Sequence, residues 1–385
     1  MRIVLVVPGG VGADGVRAVI PALLSLVRRL SMRHDVLVVA TDQVAEPASY
    51  RLEGAAILAL GRRRRGLLGR PGATAAAISA IRGFQPDVIH AIWLGPSSTI
   101  AILGGALARV PVVASVGGGE LVALPRIEYG GARTWRRRGH AALALRRASV
   151  VTAGSRLALE PLLVRRPDSR WLPLGAERDD PPDAPVALPP DSGPGPERPL
   201  RLVVAASINR VKGPELVLGA VARARASLGD AVRLEWLGED TLGGSTAGLA
   251  RALGIDRAVA FAGFQPHAAV RAAWRSADLA VQGSYHESQG VAVLEAAAAG
   301  VPTVGTAVGL VAELARTDPP AAVAVPVGDA AALGDAIVAL ARDPERRVRL
   351  GRAARAWAEE HDADWTARAL ASIYTEVTRG RPAGR

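Results

Sequence analysis

Glu287 and Glu295, with seven residues between them, carry the chemistry that is easiest to read from this chain. They lie in the stretch Ser284–Gly305, S-Y-H-E-S-Q-G-V-A-V-L-E-A-A-A-A-G-V-P-T-V-G. An apolar run before it, Asp278–Val281, reads as a buried strand. Val291–Ala299 is a good helix former, Gly300 is a natural C-terminal cap, and Val301–Val304 reads as a second strand. Glu287 therefore falls in the loop before a helix, and Glu295 about two turns along it. Ser288, Gln289 and Gly290 bring backbone N–H groups to the helix start, where the dipole favours anions and hydroxyl-rich ligands. Carboxylates on both sides of a helix N-terminus suit a ligand with hydroxyls at its two ends and phosphate between them, which is the layout of a sugar nucleotide.

A cation for that phosphate stands elsewhere in the chain. Lys212 is the only lysine; every other cationic side chain of this +11 sequence is arginine, histidine aside. It lies in the loop Ser207–Gly213, between a strand at Leu200–Ala206 and a helix opened by Pro214, a favourable first-turn residue. A point charge at a helix N-terminus suits phosphate, and Arg210 lies two residues before it. Phe264 follows a strand at Val259–Gly263, where it serves either a base or the staple of the next helix.

The N-terminal half offers a second set of candidates. Arg2–Val7 is an unbroken apolar run, a buried parallel strand. Pro8-Gly9-Gly10-Val11-Gly12 follows, then Gly15 and an amphipathic stretch from about Val16 to Leu30. Glycines let a backbone approach a ligand closely. The spacing misses the dinucleotide fingerprint and no suitably placed acid follows, which argues against a nicotinamide cofactor. Pro86–Ala91 reads as a strand with His90 at its C-terminal end, the edge where open α/β sheets bind ligands. Val110–Val116 leads into Gly117-Gly118-Gly119-Glu120, where consecutive glycines again suggest a ligand against backbone.

The Glu287–Glu295 pair followed by Ala-Gly-Val-Pro resembles the signature of the family 4 glycosyltransferases, retaining enzymes of two-Rossmann GT-B architecture. The resemblance implies that Glu287 lies by the donor sugar and that Glu295 hydrogen-bonds the ribose. It implies that Lys212-Gly213 matches the family's Lys-Gly, where an Arg and the Lys clamp the donor diphosphate, and that the Phe264 loop contacts the base. His90 stands where such enzymes often carry His, and Trp171–Gly175 resembles the run closing their first domain. This chain departs from the family in three places. The usual Glu-Gly-Phe-Gly is Glu287-Ser288-Gln289-Gly290, the usual His-Gly-x-Glu has Gly117 at its His while keeping Glu120, and Ser207 stands at the Arg position.

Length and composition bound the rest. A chain of 385 residues is too long for one ordinary core. With 49% hydrophobic but only 4% aromatic residues, the cores must be built of Ala, Val and Leu. The absence of cysteine excludes disulfides and cysteine-ligated metals. The opening apolar run is too short for a signal peptide and no run is long enough for a bilayer, so the expectation is a cytoplasmic protein, at the inner membrane face if basic clusters at Arg62–Arg65 and Arg133–Arg138 meet anionic lipid. Nothing in the sequence beyond charge points to nucleic acid.

The expected fold class is α/β: two Rossmann-like domains with parallel sheets facing across a cleft. Residues 1–177 form the acceptor-side domain, 178–199 a Pro-rich linker, 200–362 the nucleotide-sugar domain, and 363–385 a helix returning to the first. The expected activity is transfer of a sugar from a nucleotide-sugar donor to an acceptor hydroxyl on a glycan, lipid or small molecule, retaining, with no cofactor and no metal. The expected catalytic residues are Glu287, Lys212, Glu120 and His90. Ser207, Arg210, Lys212, Phe264, Ser288, Gln289, Gly290 and Glu295 bind the donor, and Gly9, Gly10, Gly117 and Gly118 line the cleft. A nucleotide-sugar epimerase of the same architecture and a catalytically degenerate binding protein are the alternatives.

Overall fold

A computed structural model of the chain describes residues 1–61, 71–177, 195 and 197–379. The Arg62–Arg65 cluster, most of the Pro-rich linker and the last six residues lie outside them. The chain divides into two compact units, Met1–Gly175 with Ala363–Arg385, and Ala176–Asp362.

Unit 1 is built on strands β1 (Arg2–Val7), β2 (Asp35–Ala40), β3 (Ala48–Leu52), β4 (Ala55–Ala59), β5 (Val88–Ile92), β6 (Val112–Val116), β7 (Val150–Ala153) and β8 (Arg170–Trp171). They form one sheet in the order β3-β4-β2-β1-β5-β6-β7-β8, parallel except for the β3–β4 pair. Because a parallel sheet is covered on both faces, its strands are apolar on both. In β1, Ile3, Leu5 and Val7 face one core and Val4 and Val6 the other. The first core contains Leu370, Ile373 and Tyr374 of the C-terminal helix Ala363–Arg379, which is why the chain end belongs to this unit.

Unit 2 contains β9 (Leu200–Ala205), β10 (Val232–Leu237), β11 (Val259–Gly263), β12 (Leu279–Gln282), β13 (Thr303–Thr306) and β14 (Ala322–Val325), in the all-parallel order β11-β10-β9-β12-β13-β14. The strand order reverses at β9/β12, as it does at β1/β5 in unit 1. These are the topological switch points, where crossovers leave to opposite sides and open a crevice beyond the strand C-termini. Both units are thus α/β and Rossmann-like.

Several elements differ from the sequence reading. The first helix is Pro21–Ser31 and does not begin at Val16. Asp14 Oδ1 accepts the N–H groups of Val16 and Arg17, and Ala18 has φ 51°, so a side-chain turn competes with the helix until Pro21. Strand β3 was not anticipated. It pairs with β4 through Glu53 and Gly54, whose φ values of 49° and 82° make the tight hairpin. The helices Pro96–Ala108, Arg156–Arg165 and Ala330–Ala341 were also unread. They are buried or charged on several sides and show weak amphipathic period. Among the described residues no helix is long and apolar enough to cross a membrane.

His90 requires a correction. It is on β5, but the side chain is only 2% exposed, and both ring nitrogens are occupied inside unit 1. Nδ1 lies 2.7 Å from Tyr374 Oη and Nε2 2.7 Å from Ser115 Oγ, which in turn lies 2.6 Å from Thr152 Oγ1. This buried polar chain ties the C-terminal helix to β5, β6 and β7 and leaves His90 no lone pair or proton for a substrate. Burial holds its pKa down at about 3, against an ordinary 6.5, and pushes the Tyr374 phenol up.

The sign of the consequence follows. His90 stays neutral when folded, whereas the unfolded chain takes up a proton below pH 6.5, so this contribution is complete above that pH and is lost as pH falls toward 3. The unfolding free energy of the wild-type protein, from urea titration, should therefore fall between pH 6.5 and 4.5, by up to about 1.4 kcal/mol per pH unit from this one group. His90→Gln should be less stable at pH 7 but lose less on acidification. Equal slopes in both proteins would mean that the proton is taken up elsewhere.

Candidate functional site

At the switch point of unit 2 the loops after β9 and β12 are pinned to each other by backbone. Tyr285 N–H donates to Val211 O at 2.8 Å. Gly213 has φ 57°, and a Cβ there would collide with Gly283 O, so only glycine lets the loops approach this closely. Asn209 Oδ1 accepts the Lys212 N–H at 3.2 Å and closes the short helical turn Arg210–Lys212.

The result is a fixed cation facing a fixed carboxylate. Lys212 Nζ is 2.6 Å from Glu287 Oε1, the pair being 27% and 13% exposed. Ser284 Oγ donates to the same oxygen at 2.7 Å, and Ser284 O is held by Thr306 Oγ1 at 2.6 Å. Ser284, which sequence reasoning passed over, is therefore part of the arrangement. Ser288 and Gln289 are buried, and Gln289 O accepts the Leu310 N–H at 2.6 Å. Gly290, at φ 95°, starts the helix Val291–Ala298, with no side chain among the described residues capping its first N–H groups. That leaves backbone donors and the positive end of the dipole beside Lys212.

Glu295 projects from the same helix. Its Oε1 lies 3.1 Å from Nε2 of His267, the first residue of the helix His267–Ser276. His267 was read only as part of the Phe264 loop, and no spacing rule would have paired it with Glu295. Phe264 is 36% exposed after β11. Ser207 and Arg210 are both exposed in the β9 loop. The structure thus joins Lys212 to Glu287 and His267 to Glu295, with no Arg at position 207 to join them.

The corresponding edge of unit 1 is differently filled. Glu120 accepts backbone N–H groups from Leu94 at 3.1 Å, Gly117 at 3.1 Å and Gly118 at 2.7 Å. Its carboxylate holds the glycine loop against the end of β5. The glycines at 117 and 119 make room for protein aromatics. A Cβ on Gly117 would lie 2.6 Å from Trp93 Nε1, and one on Gly119 would strike Tyr129. Trp93 itself adopts φ 71°, unusual for so large a residue. No sequence signal announced it. The Gly9–Gly10 loop is similarly tied to protein: Val11 N–H donates to Gln43 Oε1 at 3.0 Å, and a Cβ on Gly10 would lie 2.8 Å from Ile20 Cδ1.

The packing of Trp93 on Gly117 is testable as a double-mutant cycle. Gly117→Ala should destabilise unit 1 by about 1–3 kcal/mol, the usual cost of overpacking. The same substitution in a Trp93→Ala background should cost distinctly less, because the clash is gone. Denaturant titration of the four proteins gives the coupling, and additive effects would show that Trp93 is not what excludes a side chain at 117.

A sequence model described as Glycosyl transferases group 1 matches residues 190–357, and one described as Glycosyl transferase 4-like domain matches residues 15–175. A D-inositol 3-phosphate glycosyltransferase of Kribbella flavida is 32% identical over 187 residues, 46% of this chain and 44% of that protein. One of Salinispora tropica is 33% identical over 194 residues, 47% and 39% respectively. The chain thus matches less than half the length of these relatives. Among solved structures, HepE of Anabaena in complex with UDP and glucose aligns with a TM-score of 0.75 at 18% identity, over 98% of this chain and 100% of that one. Sucrose-phosphate synthase of Thermosynechococcus elongatus gives 0.75 at 18%, over 99% of both chains. At such identity the likeness is one of fold, and the two sequence models, one on each half of the chain, support a group 1 glycosyltransferase of GT-B type.

Proposed function

We propose that this protein transfers a sugar from a nucleotide-sugar donor to an acceptor hydroxyl, with retention at the anomeric carbon and no metal. The observation that carries the reading is the Lys212–Glu287 contact at 2.6 Å, set at the switch point of unit 2 beside the open start of the helix Val291–Ala298. The relatives named as D-inositol 3-phosphate glycosyltransferases and the HepE complex with UDP and glucose support it.

The chemistry follows from charge. Breaking a glycosyl–phosphate bond leaves negative charge on a diphosphate, and catalysis needs positive charge fixed where it develops. Lys212 Nζ supplies it together with the first N–H groups of the helix, an anion site needing no reorganisation. Glu287 holds Lys212 in place before a donor binds, then turns its free oxygen to hydroxyls of the donor sugar. Ser284 fixes the carboxylate through the shared Oε1. Glu295 takes the ribose hydroxyls, and His267 orients it. Arg210 stands two residues from Lys212 and covers the place of the missing Arg at Ser207. The two-carboxylate scheme of glycosidases is not invoked, since Glu287 is engaged by a cation and Glu295 by a histidine.

The test is release of nucleoside diphosphate from UDP-, GDP- and ADP-sugars, with a membrane extract as acceptor source, with and without chelator. One donor should turn over, survive chelation, and lose about 10²–10³-fold in kcat in Lys212→Ala, as loss of one preorganised charge-stabilising group does. Binding of a nucleotide sugar without turnover of any donor would move the reading to a degenerate binding protein. Interconversion of the donor sugar without diphosphate release would move it to an epimerase, and turnover abolished by chelator would overturn the role of Lys212 as the main countercharge.

A further inference from the structure

Unit 1 contains a second hollow that the donor chemistry does not use. It has a volume of about 390 Å³, inside the usual range for small-ligand pockets, and lies between the helices Trp135–Arg147 and Arg156–Arg165 and the loop after β6. Arg138, Ala141, Ala142, Leu145 and Arg146 face it from the first helix. Their spacings of three and four residues are those of one helical face. That face has an arginine at each end and small or apolar side chains between. Leu121, Ala132 and Arg165 also line it.

Among the described residues none of Arg138, Arg146 and Arg165 is paired with a carboxylate. Glu120 also lines the hollow, but its oxygens are taken by the N–H groups of Leu94, Gly117 and Gly118. The neighbouring Arg166 shows what a structural arginine looks like here: it is paired with Asp168 at 2.9 Å and donates to Leu145 O and Ser149 O. All three arginines are exposed, so water screens their mutual repulsion, and an anion among them would meet their summed charge. Guanidinium groups match phosphate oxygens in planar, two-point fashion, while Leu121, Ala141, Ala142 and Leu145 offer apolar surface of no use to a bare ion.

We infer that this hollow binds the phosphate of an amphiphilic molecule, its oxygens among Arg138, Arg146 and Arg165 and its apolar portion against Leu121, Ala142 and Leu145. Such a phosphate comes either from a single phosphorylated amphiphile taken up one molecule at a time or from the headgroups of an assembled bilayer, and a hollow of about 390 Å³ lined by residues of two helices and a loop, room for one small molecule, assigns the first. The inference concerns unit 1 alone and does not rest on the donor site at Lys212.

The experiment titrates the full chain, by calorimetry at low and at moderate salt, with four probes: dihexanoyl phosphatidic acid below its micelle concentration, dihexanoyl phosphatidylcholine, inorganic phosphate, and phosphatidylglycerol–phosphatidylcholine vesicles. Monomeric phosphatidic acid should bind at least about tenfold more tightly than inorganic phosphate or the choline lipid, and Arg138→Gln and Arg146→Gln should each weaken it about tenfold, the worth of a hydrogen bond to a charged group. Ala142→Leu, which fills the hollow and keeps every charge and the helix, should abolish the preference for the amphiphile while leaving inorganic phosphate binding unchanged. Circular dichroism and melting temperature of each variant exclude misfolding, and UDP binding, measured alongside, reports on unit 2 separately. Equal affinity for phosphate and amphiphile, indifference to Ala142→Leu, binding confined to vesicles, or no binding at all would each overturn the inference.

Discussion

The constraint on which the rest depends is that a parallel sheet cannot leave a face in water. Its strands are joined by crossovers that must pack on one side or the other, so β1 is apolar on both faces and feeds two separate cores. The same applies to β9, whose Leu202 and Val204 belong to one cluster and Val203 to another. Once both faces are filled, the only surface a central strand still offers is the loop at its C-terminal end. At the switch point two such loops diverge and leave a crevice. Lys212 and Glu287 are brought together by this geometry although 75 residues of chain separate them.

That dependence explains what could be read in the sequence. The strands were legible because burial on both faces writes itself as unbroken runs of Val, Leu and Ile, and Rossmann-like alternation followed. The loop residues were legible by type: a lone lysine before a first-turn proline, and two glutamates around a helix start. Their partners were not. Ser284 and His267 meet their carboxylates through register and helix packing, which no local spacing encodes. His90 was misread for the same reason. Position at the end of a strand says nothing about which side chains cover it, and Tyr374, which does, lies 284 residues away. Helices such as Pro96–Ala108 were missed because a helix covered on several sides loses the periodicity that marks an amphipathic one.

The departures from the family pattern look different once packing is known. Gly117 by itself reads as the loss of a functional side chain. In the fold it is half of an exchange: Trp93 occupies the volume a side chain at 117 would need, and pays with a left-handed backbone that bulky residues rarely adopt. Glu120 keeps the loop in place by gathering three N–H groups that would otherwise lack partners. The loop is thus determined by one carboxylate and two aromatic rings.

The Lys212–Glu287 pair admits a similar argument. As a stabilising device a partly buried ion pair is poor, since desolvation offsets much of the Coulomb gain. Lys212 is, moreover, the single lysine in a chain that otherwise uses arginine for side-chain cations of fixed charge. Guanidinium at that position would spread its charge over a plane and favour two-point contact with Glu287, tightening the pair. An ammonium group on a flexible stem makes a compact contact that a phosphate oxygen can share or replace. In the proposed transfer, such a site holds its cation firmly enough to be in place and loosely enough for a leaving diphosphate to take it over.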